Sequence, residues 1–249
     1  MRALTAQDIL HVWERGQRQH PIDRALTLLA AASPGGTRAA LAALSVGRRD
    51  AHLLELYEST FAGPLQCMDI CPTCAVPVEF SASPAELLAA PRQDSEDAVP
   101  AEGERLDDGD VSVSFRLPTS LDLAAAARCG SADDARMLLL RRCVTSASRD
   151  GATVDADSLS ERTIARVAAQ MATRDPQAEI VLGLTCPECG HRWTSLLDIV
   201  EFFWTELTVQ AYHILADVHT LASSYGWHET DIVAMSSTRR RFYLDMVGA

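Results

Sequence analysis

Two Cys-Pro-x-Cys segments constrain this chain more than any other feature: Cys71-Pro72-Thr73-Cys74 and Cys186-Pro187-Glu188-Cys189. Each lies between two short extended runs. Leu65–Ile70 leads into the first and Val76–Phe80 leads out; Ala178–Leu184 leads into the second and Arg192–Thr194 leads out. Each therefore reads as the tip of a hairpin carrying two thiols. Structural Zn²⁺ takes a closed tetrahedral shell of soft ligands, and two such pairs fill it with no position left for substrate. The spacing predicts one zinc held by Cys71, Cys74, Cys186 and Cys189, stapling the fold rather than performing chemistry. Ordinary zinc ribbons join their halves by far fewer residues, so the ribbon here is bipartite. A thioredoxin-type CxxC should open a helix that lowers its thiol pKa, and strand-like residues follow both pairs. Cys67 and His191 are near enough in sequence to substitute as ligands, but read better as a strand position and a residue just past the knuckle. Gly190 can take a left-handed turn after the second pair, whereas Ala75 in the equivalent place is strained there.

At 249 residues, 47% hydrophobic and 22% charged, the chain is long enough for one large or two modest globular units and is not disordered overall. Its cysteines fall mostly in close pairs and Met1–Asp8 carries no hydrophobic signal, which suggests a reducing cytoplasm. No run approaches the roughly 18 apolar residues of a membrane helix. A net charge of −12 argues against broad binding to phosphate backbones, and the basic residues are all Arg.

Helices are predicted for about 5–19, with Thr5 as the cap and Asp8 in the first turn, and for 22–32, 39–44 and 49–61. After the first knuckle, Pro84–Leu88 reads as a helical turn and Pro91–Asp110 as an acidic, solvated linker. Val111–Leu117 alternates as a strand. Helices follow over 120–128, 132–146 behind the Ser131 cap, and 159–173. The last quarter holds a helix over about 196–223, where Ile199, Phe203, Leu207, Ala211, Ile214, Val218 and Leu221 form one seam. Two short helices, near 229–235 and 238–247, complete the chain. Phe202, Trp204, Tyr212 and Leu215 widen the apolar surface beyond that seam, so the long helix is either deeply buried or meets a partner.

The fold class is thus α+β, mainly helical, with a small bipartite β zinc ribbon and inserted helices. The segments are an N-terminal helical region (1–62), a first ribbon half with linker and strand (63–118), inserted helices (119–175), a second ribbon half (176–195) and the C-terminal helices (196–249). No G-x-S-x-G elbow, Walker A loop, G-x-G-x-x-G fingerprint or H-E-x-x-H helix occurs. His213 and His219 are six apart and share no ligand-spaced face, and Cys129 and Cys143 read as small core residues. An enzyme is not expected. Phe202, Trp204, Trp227, Arg239, Arg240 and Tyr243 are the candidate partner-binding side chains, since aromatics and Arg dominate interface energies.

An ordered set of segments takes the reading further: Leu44–Asp50, Leu53–Leu56, Thr60-Phe61, the first knuckle, Arg116–Leu123, Cys186–His191, Asp198–Val200, Phe203-Trp204, Glu206-Leu207, Val218-His219, Leu221-Ala222, Tyr225–Trp227, Asp231-Ile232, Met235-Ser236 and Arg239-Arg240. Over nearly its whole length the chain resembles the baseplate hub assembly chaperones of T-even-type phages and related contractile tail-like injection systems. Ala75 stands where that pattern has Gly, and His228 where it has a better Ser cap. The resemblance implies a protein that binds baseplate or hub proteins during assembly, cytoplasmic or associated with the particle. A permanent baseplate subunit and a zinc-ribbon nucleic-acid binder are the alternatives.

Overall fold

A computed structural model describes residues 1–88 and 104–248. The architecture is α+β, mainly helical with small antiparallel sheets. The chain forms two compact units. The first gathers Met1–Gly36, Leu53–Gly63 and Asp198–Ala249, and the second gathers Thr37–His52 and Pro64–Leu197.

The first unit is all helical and is organised on its longest helix. Helix α1 (Ala6–Gly16) and α2 (Pro21–Ala32) precede α3 (Arg38–Ala43) and α4 (Val46–Phe61), of which the residues from Leu53 onward belong here. The long helix, Ile199–Tyr225, starts behind the Asp198 carboxylate, which accepts from the N–H groups of Val200 and Glu201, and stops at Gly226 with φ 69°. Its buried residues are the expected seam together with Val200 and Trp204. Trp204 lies so close over Gly16 that a β-carbon there would be 2.2 Å from the ring, and the Arg24 guanidinium covers the ring at 4.3 Å. Tyr57 and Phe61 meet Phe203 edge-on at 5.7 and 5.5 Å.

In the second unit, β1 (Leu65–Ile70) and β2 (Pro77–Ala82) form a two-stranded antiparallel sheet, followed by α5 (Pro84–Leu88). Then β3 (Glu104–Asp108), β4 (Val111–Phe115), β5 (Val144–Arg149) and β6 (Ala152–Thr153) form a four-stranded antiparallel sheet in chain order. Helices α6 (Ser120–Ala126) and α7 (Ala132–Cys143) come between β4 and β5, and α8 (Glu161–Arg174) comes after β6. Leu106, Val111, Val113, Phe115 and Ala147 of the sheet share a core with Leu140, Leu159, Ile164 and Val167. The last hairpin is β7 (Val181–Thr185) with β8 (Arg192–Leu196). The long helix is accordingly α9, followed by α10 (Glu229–Ala234) and α11 (Ser237–Val247).

Two expectations are corrected. Of the predicted acidic linker Pro91–Asp110, residues 91–103 lie outside the described residues, but 104–110 are strand and turn: Leu106 is buried in the sheet core, and Gly109 turns the chain at φ 68°. The helix predicted over 132–146 ends at Cys143, and the chain continues as β5, turning into β6 at Asp150-Gly151 with both residues at positive φ. That is the backbone of a type I′ hairpin, and Asp-Gly is its usual sequence.

Each unit carries the same side-chain clasp. Arg2 donates from two nitrogens to the two Asp8 oxygens at 2.6 and 2.9 Å, and the Thr5 N–H and hydroxyl donate to Asp8 at 2.9 and 2.6 Å. Arg116, Thr119 and Asp122, at the same spacing, repeat this with 2.6 and 2.9 Å from Arg116 and 2.9 and 2.8 Å from Thr119. In both, the Asp is the third helical residue and closes a capping box. Elsewhere in the second unit, buried Asp175 accepts from the Gly47 N–H at 2.8 Å and the Ser45 hydroxyl at 3.0 Å, anchoring the start of α4. Burial pushes its carboxyl up from the ordinary value.

Candidate metal centre

The two Cys-Pro-x-Cys segments fold into the same local structure. In the first, Ala75 N–H donates to the Cys71 carbonyl at 2.9 Å and Cys71 N–H to Val76 at 3.0 Å. In the second, Gly190 N–H donates to Cys186 at 3.0 Å and Cys186 N–H to His191 at 2.9 Å. The residue after each pair must therefore turn left-handed: φ is 58° at Ala75 and 68° at Gly190. Ala75 pays a steric penalty of about 1–2 kcal/mol there that glycine avoids.

The knuckles meet. One ligand atom from each of Cys71, Cys74, Cys186 and Cys189 falls within 4.8 Å of all the others. The Cys71 and Cys189 sulfurs are 3.7 Å apart and those of Cys74 and Cys186 3.5 Å. A tetrahedron with Zn–S bonds of about 2.3 Å has edges of about 3.8 Å, so the four sulfurs already approximate a closed four-thiolate shell. In each knuckle the first cysteine is buried and the second exposed.

The electrostatics fit a cation. Burial opposes ionisation of Cys71, but N–H groups of Cys74 and Thr73 and the neighbouring Cys74 and Cys189 thiols bring it down to about 7. At Cys74 an N–H from Val76 favours the thiolate, yet burial and the surrounding sulfurs push the thiol up to about 12. Ionisation is thus favoured at one sulfur and opposed at its neighbour, a conflict that a divalent ion would relieve. Bound there, a metal would link the hairpins and add its binding energy to folding.

Cys67 and His191 are outside this group. The Cys67 thiol, raised by burial, faces the Leu65 carbonyl at 3.8 Å, and His191 stacks beside Trp193 with centroids 6.2 Å apart. Cys143 is buried and its thiol is pushed up to about 11, chiefly by desolvation. Two residues beside the centre escaped the sequence reading: Trp193 packs against the cluster of Cys71, Val78 and Cys186, and its indole N–H donates to Asp69 at 3.0 Å. Two-residue alternation along Arg192–Leu196 places Trp193 and Ser195 on one face, the only signal the sequence offered.

The candidate partner-binding residues separate into two groups. Trp227, Arg239 and Tyr243 come together: Trp227 stands 4.9 Å from Tyr243, stacks on Tyr225 at 4.5 Å, and Arg239 lies over Tyr243 at 5.8 Å. Exposed Phe242 adjoins them. Trp204 and Arg240, by contrast, are only 7% exposed. Trp204 fills the space over Gly16, and Arg240 pairs with Asp217 at 2.8 Å, so both serve the packing of their own unit rather than its surface. Phe202 is half-buried against Tyr57.

An α+β chain with discontinuous knuckles and a four-thiol centre is the class of protein that this geometry defines. Residues 17–204 match the family described as T4 bacteriophage base plate protein, and the chain belongs to that family. The matched span takes in both knuckles and ends early in α9. No curated protein and no solved structure matches the chain. Among the described residues no helix is long and apolar enough to cross a membrane.

Proposed function

We propose that this chain is a non-enzymatic assembly factor, a chaperone for the hub of a contractile tail baseplate, with one structural zinc held by Cys71, Cys74, Cys186 and Cys189. The observation that carries this reading is the family match across residues 17–204, which contains the whole four-thiol centre. Four protein sulfurs complete a tetrahedral shell, leaving no coordination position for a reacting group. The metal's role is then to hold the two hairpins, and the protein's work is binding. Its partners are unassembled baseplate or hub proteins, met through the face around Trp227, Arg239, Phe242 and Tyr243.

The test compares two preparations. Mass spectrometry of purified particles is set beside a pull-down from cells in which assembly is blocked, and elemental analysis of the purified chain counts its metal. A chaperone is captured with unassembled hub proteins and is missing from finished particles. Presence in the particles at fixed stoichiometry would make it a permanent subunit. A folded chain without bound metal would overturn the zinc assignment.

A further inference from the structure

We infer that Asp69 and Trp193 form a latch that seats the second knuckle against the first, and that Trp193 is a positioning residue of the four-thiol centre. The inference rests on the structural-metal reading for its consequence, but on separate contacts for its geometry. Cys71 and Cys189 are 118 residues apart in sequence, and Cys74 and Cys186 are 112 apart. Bringing such distant groups together carries a chain-closure cost that recurs each time the metal leaves. Something other than the ion must keep the halves in register if the site is to reload readily.

The strands supply it. Along β1 the less exposed positions are Cys67 and Asp69, leading to buried Cys71; along β8 they are Trp193 and Ser195. With period-two alternation, these are the faces that β1 and β8 present inward. Asp69 belongs to the first hairpin, opposite Val78, and Trp193 to the second, opposite Leu184. The indole N–H reaches the Asp69 carboxylate at 3.0 Å, and the ring packs against the cluster formed by Cys71, Val78 and Cys186. A single side chain thus bonds to the first hairpin while packing against a cluster that holds a ligand from each. Groups that orient metal ligands in this way are worth 10–100-fold in metal affinity.

Charge gives the proposal a sharp test, because it opposes the positioning effect. A divalent ion with four thiolates is a dianion, and the nearby Asp69 carboxylate repels it. Removing that charge should tighten binding if Asp69 acts only through its field, and weaken binding if it acts through the latch.

The full chain is stripped of metal and titrated with Co²⁺ against a competing chelator, each variant first being checked for native circular dichroism. Trp193→Phe, which keeps an aromatic ring but loses the N–H, and Asp69→Ala should each bind Co²⁺ about tenfold more weakly or worse. The sulfur-to-cobalt charge-transfer bands should stay unchanged. Asp69→Asn, which keeps an acceptor oxygen without the charge, should restore affinity. In the metal-free chain, the four thiols should be alkylated faster in Asp69→Ala than in the wild type. Wild-type affinity in both Trp193→Phe and Asp69→Ala, or tighter binding in the latter, overturns the latch. A wild-type chain that takes up neither Co²⁺ nor Zn²⁺ overturns the structural-metal reading instead, and the alkylation rates then decide whether the latch exists.

Discussion

Arg116 grips Asp122 through two nitrogens at 2.6 and 2.9 Å, and Arg142 adds a third charged hydrogen bond at 2.7 Å. The carboxylate has no solvent exposure, whereas both guanidinium groups reach solvent. Burial alone would raise this carboxyl, but the Arg116, Thr119 and Arg142 bonds overcome it and hold the group well below the usual carboxylate range.

Asp122 is therefore predicted to confer acid sensitivity. A depressed folded-state pKa gives stability that is fully present above the unfolded value of about 3.8 and is lost as pH falls below it. Asp122→Ala should cost about 2–3 kcal/mol in urea unfolding at pH 7, less than for a fully enclosed pair because its arginines stay hydrated. The variant's stability should then fall less steeply below pH 4 than the wild type's. A wild-type acid limb in the variant would contradict the assignment.

Gly47→Ala should destabilise the second unit. The new β-carbon would stand 2.3 Å from the Asp175 carboxylate oxygen and 2.7 Å from the Ala178 nitrogen, and backbone cannot yield as a flexible side chain does. Overpacking of this kind costs about 1–3 kcal/mol, read as a lower urea midpoint at unchanged slope. Asp175 also opposes Asp122 in its pH dependence: burial raises it, so its ionisation costs stability as pH climbs past the unfolded value.

Strand β3 makes a deletion of the acidic segment depend on where it ends. A deletion that reaches Asp110 removes Leu106 from the sheet core and should abolish cooperative unfolding of the second unit. Leu106→Ala alone should cost about 2–5 kcal/mol. Circular dichroism melts of both variants check this, and an unaltered melt for either would refute a structural role for Glu104–Asp108.

In the first unit, core and surface aromatics should part company. Trp204→Ala empties the space over Gly16 and should cost about 3–5 kcal/mol. Phe242→Ser and Arg239→Glu alter exposed side chains and should leave the melting temperature within about a degree or two, since surface changes are usually worth less than about 0.5 kcal/mol. Those two should nevertheless lower capture of hub proteins in a pull-down. Undiminished capture in both would remove this face from the proposed interface.

The helices and the cysteine centre were legible because their signals are local or chemically specific. Thr5 and Ser131 cap helices where polar residues precede apolar periodicity, and thiol pairs separated by two residues have few uses besides metal. Strands β3 and β5 were hidden for a physical reason. Glu104–Asp108 has a single strongly apolar residue, and Val144–Arg149 follows a helix without Gly or Pro to mark the change. Both are strands because β4 lies between them and supplies their hydrogen bonds. Burial was harder still to read: Trp204 is buried over Gly16 and under Arg24 while Trp227 is half-buried, and neither neighbour is adjacent to its tryptophan in sequence.

Neither unit is made of a single stretch of chain, and this sets a timetable for synthesis. At about 5–20 residues per second, the 118 residues between Cys71 and Cys189 take about 6–24 s to appear. During that interval the first knuckle offers two thiols to whatever thiophilic ion or oxidant is near, with no second pair to complete the shell. The helices before Gly36 wait longer, since the helix that buries their apolar faces begins at Ile199. A nascent chain of this design keeps those apolar faces uncovered until its last quarter has emerged.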